Sequence, residues 1–196
     1  MIVGATHASP EIMPAIERYH RRSIRLRGYD YAQAGAYFIT LCTHDRSHLF
    51  GRIANAVMEL NACGEAAQHC WDAIPGHFPL VELDAFQVMP NHVHGIVVIT
   101  GGNTSRGATH ASPLQGAGPN GPMAGSLGAI VGSYRSAVSR MINRSRGTPG
   151  EPVWQRNYFE RIIRDSAEHG RIAQYIADNP SNWTTDEMNV RIPREG

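Results

Sequence analysis

The chain contains no lysine, so all 18 of its lysine or arginine positions are arginines. Arginine presents a planar fork of donors that suits phosphate groups and guanine edges. A GC-rich genome also replaces lysine by arginine, and both explanations stay open. The formal net charge is only +1, which excludes a polycationic protein. Attraction to nucleic acid would therefore have to come from local patches of charge.

Cysteine and long apolar segments are also scarce. The three cysteines, Cys42, Cys63 and Cys70, are an odd number without paired short spacing, so neither a disulfide framework nor a zinc ribbon is indicated, and we expect inert thiols. No apolar run approaches the length of a membrane span, and no signal-peptide pattern is present. We therefore expect a cytoplasmic protein without a membrane partner. Its 42% hydrophobic content is enough for one sizeable core.

Hydrophobic periodicity and turn residues predict a regular order of elements. The order is strand, helix, strand, strand, helix, strand and a last helix, at 36–43, 61–74, 81–88, 92–100, 126–143, 153–163 and 166–179. Ser166 is the expected cap of the last helix, and Pro180 its expected end. This order predicts an α+β fold of the ferredoxin-like, split βαβ type, with helices on one face of an antiparallel sheet.

Composition divides the chain into three parts. Residues 1–30 form a basic N-terminal arm, 31–183 the folded domain and 184–196 a C-terminal tail. Within the domain, the segment 101–125 is rich in Gly, Pro, Asn and Ser, which predicts a flexible loop.

Two histidines at alternate positions open the fourth predicted element. His92 and His94 flank Val93 directly after the turn Met89-Pro90-Asn91. Because alternate residues of a strand share a face, both imidazoles would project to the same side, while Val93 is buried on the other. Such a pair is half of a metal site, but exposed histidines on an ordinary strand have the same spacing. A third ligand and a reacting group are needed.

The last predicted helix offers candidates for both. Tyr175 and Asn179 are four residues apart, so a phenol and an amide oxygen would lie on one helical face. The alternative is structural, because Tyr175 could be a core aromatic and an asparagine before proline is an ordinary helix terminus.

Several motifs, in this order along the chain, resemble the single-tyrosine HUH transposases, and more narrowly the REP-associated tyrosine transposases of bacteria. They are Met89-Pro90-Asn91-His92-Val93-His94, Trp154-Gln155, Tyr158, Arg164, Tyr175, Asn179-Pro180 and Trp183. The resemblance implies that His92, His94 and Asn179 hold Mg²⁺ or Mn²⁺ and that Tyr175 is the nucleophile. It also implies the ferredoxin-like fold, with the histidines on an inner strand facing the additional C-terminal helix that carries the tyrosine.

The implied activity is cleavage and rejoining of single-stranded or hairpin DNA through a 5'-phosphotyrosine intermediate. One alternative is a domesticated, sequence-specific binder of palindromic repeats that no longer cuts DNA. Another is a histidine-based metal hydrolase or replication nickase. Tyr158 is a rival nucleophile, and Asp178 or Gln174 could replace Asn179 as a ligand. We expect a monomer or a homodimer.

Candidate DNA contacts come from arginine clusters and from aromatic residues. Arginines crowd the segment before the first strand, and others line the second long helix. The candidates are Arg21, Arg22, Arg25, Arg27, Arg135, Arg140, Trp154 and Tyr158.

A heptapeptide occurs twice without change, as Gly4 to Pro10 and as Gly107 to Pro113. A segment of this length without periodic hydrophobic residues cannot be a structural repeat. Its back-translation with GC-ending codons, apart from CAT for histidine, is GGGGCGACGCATGCGTCGCCC. Apart from its first base, this string is its own reverse complement. Our hypothesis is that the gene carries a hairpin-forming palindrome twice; the alternative is an in-frame duplication unrelated to substrate.

Overall fold

The computed structural model describes residues 30–101, 123–186 and 188–189. Within these ranges lie six strands and four α-helices. They are β1 (Gly35–Cys42), β2 (Gly51–Ala54), β3 (Val57–Leu60), α1 (Ala62–Asp72), α2 (Ile74–His77), β4 (Val81–Met89), β5 (His92–Ile99), α3 (Leu127–Arg146), β6 (Phe159–Ile163) and α4 (Ser166–Asn182). Short 3₁₀ turns occupy His44–Arg46 and Trp183–Thr185. The predicted basic arm up to residue 29, and most of the predicted 101–125 loop, lie outside the described residues.

The four longer strands build one antiparallel sheet in the order β4-β5-β1-β6. With the helices between β1 and β4 and between β5 and β6, this is the split βαβ arrangement. The predicted α+β, ferredoxin-like fold is confirmed. The histidine strand β5 is an inner strand, also as predicted.

Two hydrophobic clusters show which helices cover which face of the sheet. Val93 and Val97 of β5 pack into the larger cluster, together with residues of α1 and α3. Ile96 of β5 packs into a second cluster, together with Ile172 and Ile176 of α4. Helix α4 therefore lies on the opposite face from α1 and α3, and that face also carries His92 and His94.

The hairpin β2–β3 was absent from the prediction. It turns at Asn55 and Ala56, whose φ angles are 50° and 61°. Tight hairpins usually mark such left-handed positions with glycine, so an Asn-Ala pair gives little signal in the sequence. The short helix α2 was missed as well.

The predicted strand 153–163 is only partly correct, because the ladder begins at Phe159. Before it, Trp154 makes a single bridge with Thr43. The guanidinium of Arg135 donates to the carbonyls of Gln155 and Arg156, so a side chain satisfies backbone groups that a strand would have paired.

The predicted start of α4 at Ser166 is confirmed, whereas its predicted cap and its predicted end were wrong. Asp165 is the N-cap in place of Ser166, and its carboxylate accepts from the Glu168 N–H at 2.7 Å. The helix continues through Pro180 to Asn182. A proline this close to the C-terminus removes one backbone bond without blocking the last turn. Helix α3 also runs past the predicted end, to Arg146, and stops where Gly147 adopts a φ of 66°.

Gly95 allows the sheet to contact α1 closely. A Cβ at this position would lie 2.5 and 2.6 Å from ring atoms of Trp71, which is itself stacked on Phe86 at 4.2 Å. We expect Gly95→Ala to lower the free energy of unfolding by about 3 kcal/mol, measured by urea denaturation. Gly132→Ala, in α3 where a Cβ meets nothing within 4 Å, is the control and should be neutral or stabilising. An equal loss in both variants would contradict this account.

Among the described residues, no helix combines the length and apolar character needed to cross a membrane.

Candidate active site

The two histidines of β5 are side by side and completely buried. His92 and His94 each have 0% of their surface exposed, and their Nε2 atoms are 2.9 Å apart. Phe38 stacks on His94 at 5.5 Å and Trp183 lies 6.0 Å from His92, between ring centroids. The pair is thus packed between aromatic rings beneath α4.

Asn91 determines which nitrogen of His92 carries the proton. Its Nδ2 donates to the carbonyls of Met188 at 2.7 Å and Arg46 at 3.3 Å. This orients Oδ1 towards His92, where it accepts from Nδ1–H at 2.8 Å. Because Nδ1 holds the proton of the neutral ring, the lone pair on Nε2 points at His94.

Thr40 has the equivalent position beside His94, with 2.8 Å between Oγ1 and Nδ1. Since His92 Nε2 is an acceptor, His94 Nε2–H donates to it and the Thr40 hydroxyl donates to His94 Nδ1. A hydroxyl can reverse its role, so the proton of His94 can also reside on Nδ1. In that tautomer both Nε2 lone pairs face the space between the rings, as metal ligation requires.

Both imidazoles are neutral at pH 7. Burial lowers the pKa of His94 to about 3. Burial, then the neighbouring His94 and Arg46, hold the pKa of His92 well below 6.5, against a smaller opposing effect of Asn179. A neutral imidazole is the form that binds a metal ion, so protons compete only under acidic conditions.

Tyr175 and Asn179 of α4 both face this pair. The Tyr175 hydroxyl is 3.5 Å from His94 Nε2, and its ring meets Phe38 edge-on. Asn179 is 3% exposed, and a side-chain hydrogen bond between it and His92 partly opposes the lowering of the His92 pKa. Its Oδ1 is shielded from solvent and makes no hydrogen bond of normal geometry. A buried amide oxygen in this condition is costly unless something else binds it.

The alternative ligands lie elsewhere. Gln174 Nε2 donates to Asp178 Oδ1 at 2.8 Å, and both side chains are on the exposed surface of α4. Neither has the burial of Asn179.

Polar contacts with both edge strands of the sheet hold the first turn of α4 in place. Arg161 of β6 pairs with the buried Glu168 at 2.5 Å, and Asp84 of β4 pairs with His169 at 2.8 Å. Ile172 and Ile176, further along the helix, are buried in the second cluster. The helix that carries Tyr175 is therefore connected to both edge strands of the sheet, β4 and β6.

The donor set fits one small divalent ion. Two nitrogen ligands at right angles, each about 2.1 Å from a metal, are about 3 Å apart, which agrees with the 2.9 Å between the two Nε2 atoms. Asn179 Oδ1, which is buried without a hydrogen-bond partner, would supply a third donor to such an ion. In the described part of the chain no three His, Cys, Asp or Glu side chains converge.

Comparison with known proteins gives one close relative. An uncharacterised protein of Haemophilus influenzae strain Rd is 40% identical over 175 residues, covering 88% of this chain and 94% of that protein. The chain belongs to the same family as that protein. No family model matches the sequence.

Two solved structures are similar at lower identity. A REP-associated tyrosine transposase bound to a REP hairpin has a TM-score of 0.48 and 19% identity, over 84% of this chain and 73% of that one. A Deinococcus radiodurans R1 protein named as a candidate transposase has a TM-score of 0.37 and 20% identity, over 80% of this chain and 97% of that one.

The predicted DNA contacts that the structure describes do not lie beside the histidines. Arg21, Arg22, Arg25 and Arg27 lie outside the described residues. Arg135 and Arg140 belong to α3, on the opposite face of the sheet. The guanidinium of Arg135 is engaged with backbone carbonyls, whereas Arg140 is exposed.

The two predicted aromatic contacts belong to the same side as α3. Trp154 is 7% exposed, and its indole N–H donates to the Arg135 carbonyl at 3.2 Å. Tyr158 packs against the larger cluster, which includes α1 and α3. A buried indole is not available to stack on a base, so we leave Trp154 out of any proposed DNA surface.

The sequence reasoning missed Thr40 and Asn91. Asn91 was expected only to shape a turn, yet it is 1% exposed and orients His92. An amide directly before the histidine pair was the available signal. Thr40 gave none, because its position opposite His94 depends on the pairing of β1 with β5.

Proposed function

We propose that the protein is a metal-dependent transposase that cleaves and rejoins single-stranded or hairpin DNA through Tyr175. The observation that carries the proposal is the convergence of a phenol, two neutral imidazoles and an unsatisfied amide on one face of the sheet. The Tyr175 hydroxyl lies 3.5 Å from His94 Nε2, so the phenol is next to the imidazole pair. The order of motifs seen in the sequence supports the same assignment.

The chemistry is an exchange of phosphodiesters. The Tyr175 oxygen attacks phosphorus, a bond from that oxygen to phosphorus forms, and the bond from phosphorus to the 3' oxygen breaks. The phenol proton is released to solvent and the departing 3' oxygen takes one up. The products are a 5'-phosphotyrosine and a free 3' hydroxyl. Reversal with another strand rejoins DNA without a nucleotide cofactor.

The residues of the site divide this work. Phe38 and the anchored helix α4 hold the phenol in place, which avoids an entropic cost in the transition state. Asn91 and Thr40 orient the imidazoles. His92, His94 and Asn179 would hold Mg²⁺ or Mn²⁺, and such an ion, when bound, neutralises a non-bridging oxygen of the phosphate. Asparagine is a weak ligand, so Mn²⁺ should support the reaction better than Mg²⁺.

Tyr158 is the weaker candidate for the nucleophile. It packs with the cluster that contains α1 and α3, on the other face of the sheet from His92 and His94. The Tyr158 hydroxyl is therefore separated by the sheet from His92 and His94.

The domesticated binder of palindromic repeats is the second candidate function. Such a binder would have the same fold and recognise the same DNA as the transposase, but it would form no covalent product. Detection of a covalent protein–DNA adduct therefore distinguishes the two functions.

The test is incubation of the full chain with end-labelled single strands that contain the GCGACGCATGCGTCGC hairpin, with Mn²⁺ or with EDTA. We expect a protein–DNA adduct that survives denaturation only in the Mn²⁺ reaction, with the label retained when it is on the 3' end. Peptide mapping should place the nucleotide on Tyr175. Hairpins with other palindromes of the same length test whether the repeated heptapeptide encodes the substrate.

Binding without any adduct, on this hairpin and on strands that include the gene's flanking DNA, would favour the binder. Hydrolysis without a protein-linked product would favour the metal hydrolase.

A further inference from the structure

The chain that follows α4 turns back to the histidine pair. The Trp183 ring is 7% exposed and lies 6.0 Å from the His92 ring, between centroids. Met188 is 4% exposed, and its carbonyl accepts from Asn91 Nδ2 at 2.7 Å. The predicted C-terminal tail, 184–196, therefore places one of its backbone carbonyls beside the site.

A hydrogen-bonded turn holds that carbonyl in place. Asp186 Oδ1 accepts from the Met188 N–H at 2.8 Å, and the Asp186 carbonyl accepts from the Asn189 N–H at 2.9 Å. Asn189 Nδ2 donates to the Trp183 carbonyl at 2.9 Å, which connects the turn to the residue that follows α4. A bond from an aspartate side chain to the backbone two residues later is typical of an Asx turn.

The Met188 carbonyl determines which way the Asn91 amide faces. A side-chain amide has a donor end and an acceptor end, and a carbonyl can accept only from the donor end. The Arg46 carbonyl also accepts from Asn91 Nδ2, at the longer distance of 3.3 Å. With the Met188 carbonyl displaced, rotation of the amide would present Nδ2 to His92. The His92 proton would then lie on Nε2, and the lone pair that metal ligation requires would be lost.

We propose that Asp186 is a positioning residue of the active site and selects the His92 tautomer that can bind a metal ion. It acts through the Met188 backbone and the Asn91 amide, and the inference rests on the proposed function. The bonds from Asp186 to Met188, from Met188 to Asn91 and from Asn91 to His92 measure 2.8, 2.7 and 2.8 Å. These four residues are at most 9% exposed, and such buried hydrogen bonds are stronger than exposed ones.

Asp186 also carries a charge close to other groups. Burial raises the pKa of the Cys42 thiol to about 11, while Arg46 opposes this effect and Asp186 adds to it. Cys42 is the cross-strand partner of His92. The experiment therefore has to separate the acceptor oxygen of Asp186 from its charge.

The experiment compares Asp186→Ala and Asp186→Asn with Thr185→Ala as control. Asparagine keeps an oxygen acceptor for the Met188 N–H but removes the charge, whereas alanine removes both. Thr185 is exposed, and its hydroxyl donates to the Asn182 carbonyl at 2.9 Å. Its replacement therefore removes a hydrogen bond of the same segment away from Asn91.

The first readout is nitrogen-15 NMR of the metal-free protein, which shows which nitrogen of His92 is protonated. We expect the Nδ1–H tautomer in wild type, Asp186→Asn and Thr185→Ala. Asp186→Ala should give a mixture with the Nε2–H tautomer, because the Asn91 amide is no longer held in one orientation. A merely structural role would change stability but not this balance.

The second readout is Mn²⁺ affinity, measured by calorimetry. Asp186→Ala should bind Mn²⁺ about 10-fold more weakly, which is the size of effect expected when a group that orients a ligating histidine is lost. Asp186→Asn and Thr185→Ala should stay within about 2-fold of wild type. In an Asn91→Ala background, Asp186→Ala should have no further effect, because both substitutions act through one amide.

The outcomes separate two failures. If wild type neither binds Mn²⁺ nor forms a DNA adduct, the proposed function fails, and the tautomer of His92 still decides whether Asp186 orients that ring. An unchanged tautomer in Asp186→Ala, or loss of the Nδ1–H form in Asp186→Asn, would overturn the role of Asp186. If Asp186→Ala is poorly folded, Asn189→Ala removes another bond of the same turn and should shift the tautomer in the same direction. An unchanged tautomer in that variant would also overturn the inference.

Discussion

Tyr175→Phe should form no covalent adduct with DNA, a loss of at least about 10⁴-fold in cleavage. The change removes the only atom that becomes bonded to phosphorus and leaves the ring in contact with Phe38 and His94. Stability and hairpin binding should therefore stay close to wild type. The adduct is measured by denaturing gel electrophoresis of labelled strands, and affinity by fluorescence anisotropy.

Tyr158→Phe is the matched control, since it removes one hydroxyl from the other aromatic residue considered as a nucleophile. We expect it to retain adduct formation within about 3-fold, because Tyr158 packs on the α3 side of the sheet. Persistence of the adduct in Tyr175→Phe together with its loss in Tyr158→Phe would reverse the assignment.

Asn179→Leu should have opposite effects on folding and on function. Its side-chain oxygen is buried without a hydrogen bond of normal geometry, so an apolar group of similar size should leave the metal-free protein as stable as wild type, or up to about 1 kcal/mol more stable. Loss of the third donor should reduce Mn²⁺-dependent adduct formation about 100-fold. Addition of Mn²⁺ should no longer raise the melting temperature, as it should in wild type.

Two substitutions check this explanation. Asn179→Asp keeps an oxygen ligand and adds charge, so it should bind Mn²⁺ more tightly while its metal-free form is less stable, because a buried carboxylate is costly. Asn182→Leu changes an exposed amide on the same helix and should leave the metal response unchanged. A strongly destabilised Asn179→Leu protein that still responds to Mn²⁺ would show that Asn179 is a structural residue.

The sequence did not predict which arginines lie on the same face of the sheet as the histidines. Two arginines of α3, Arg135 and Arg140, were predicted as DNA contacts, but the sheet separates α3 from the histidines. The folded domain limits at 30/31 and 183/184 remain predictions.

The sequence by itself determined the local features of this protein. Alternation in β5 put His92 and His94 on one face, four-residue spacing put Tyr175 above Asn179, and the order of elements specified the split βαβ fold. These features depend on strand and helix periods, which a chain carries within short windows. Only the tertiary structure decided that the face of β5 with His92 and His94 meets the face of α4 with Tyr175 and Asn179. It also decided that Thr40 and Asn91 orient the imidazoles and that the Asn179 oxygen is buried without a hydrogen-bond partner. Those facts depend on strand pairing and burial between residues distant in the chain, which no local pattern encodes.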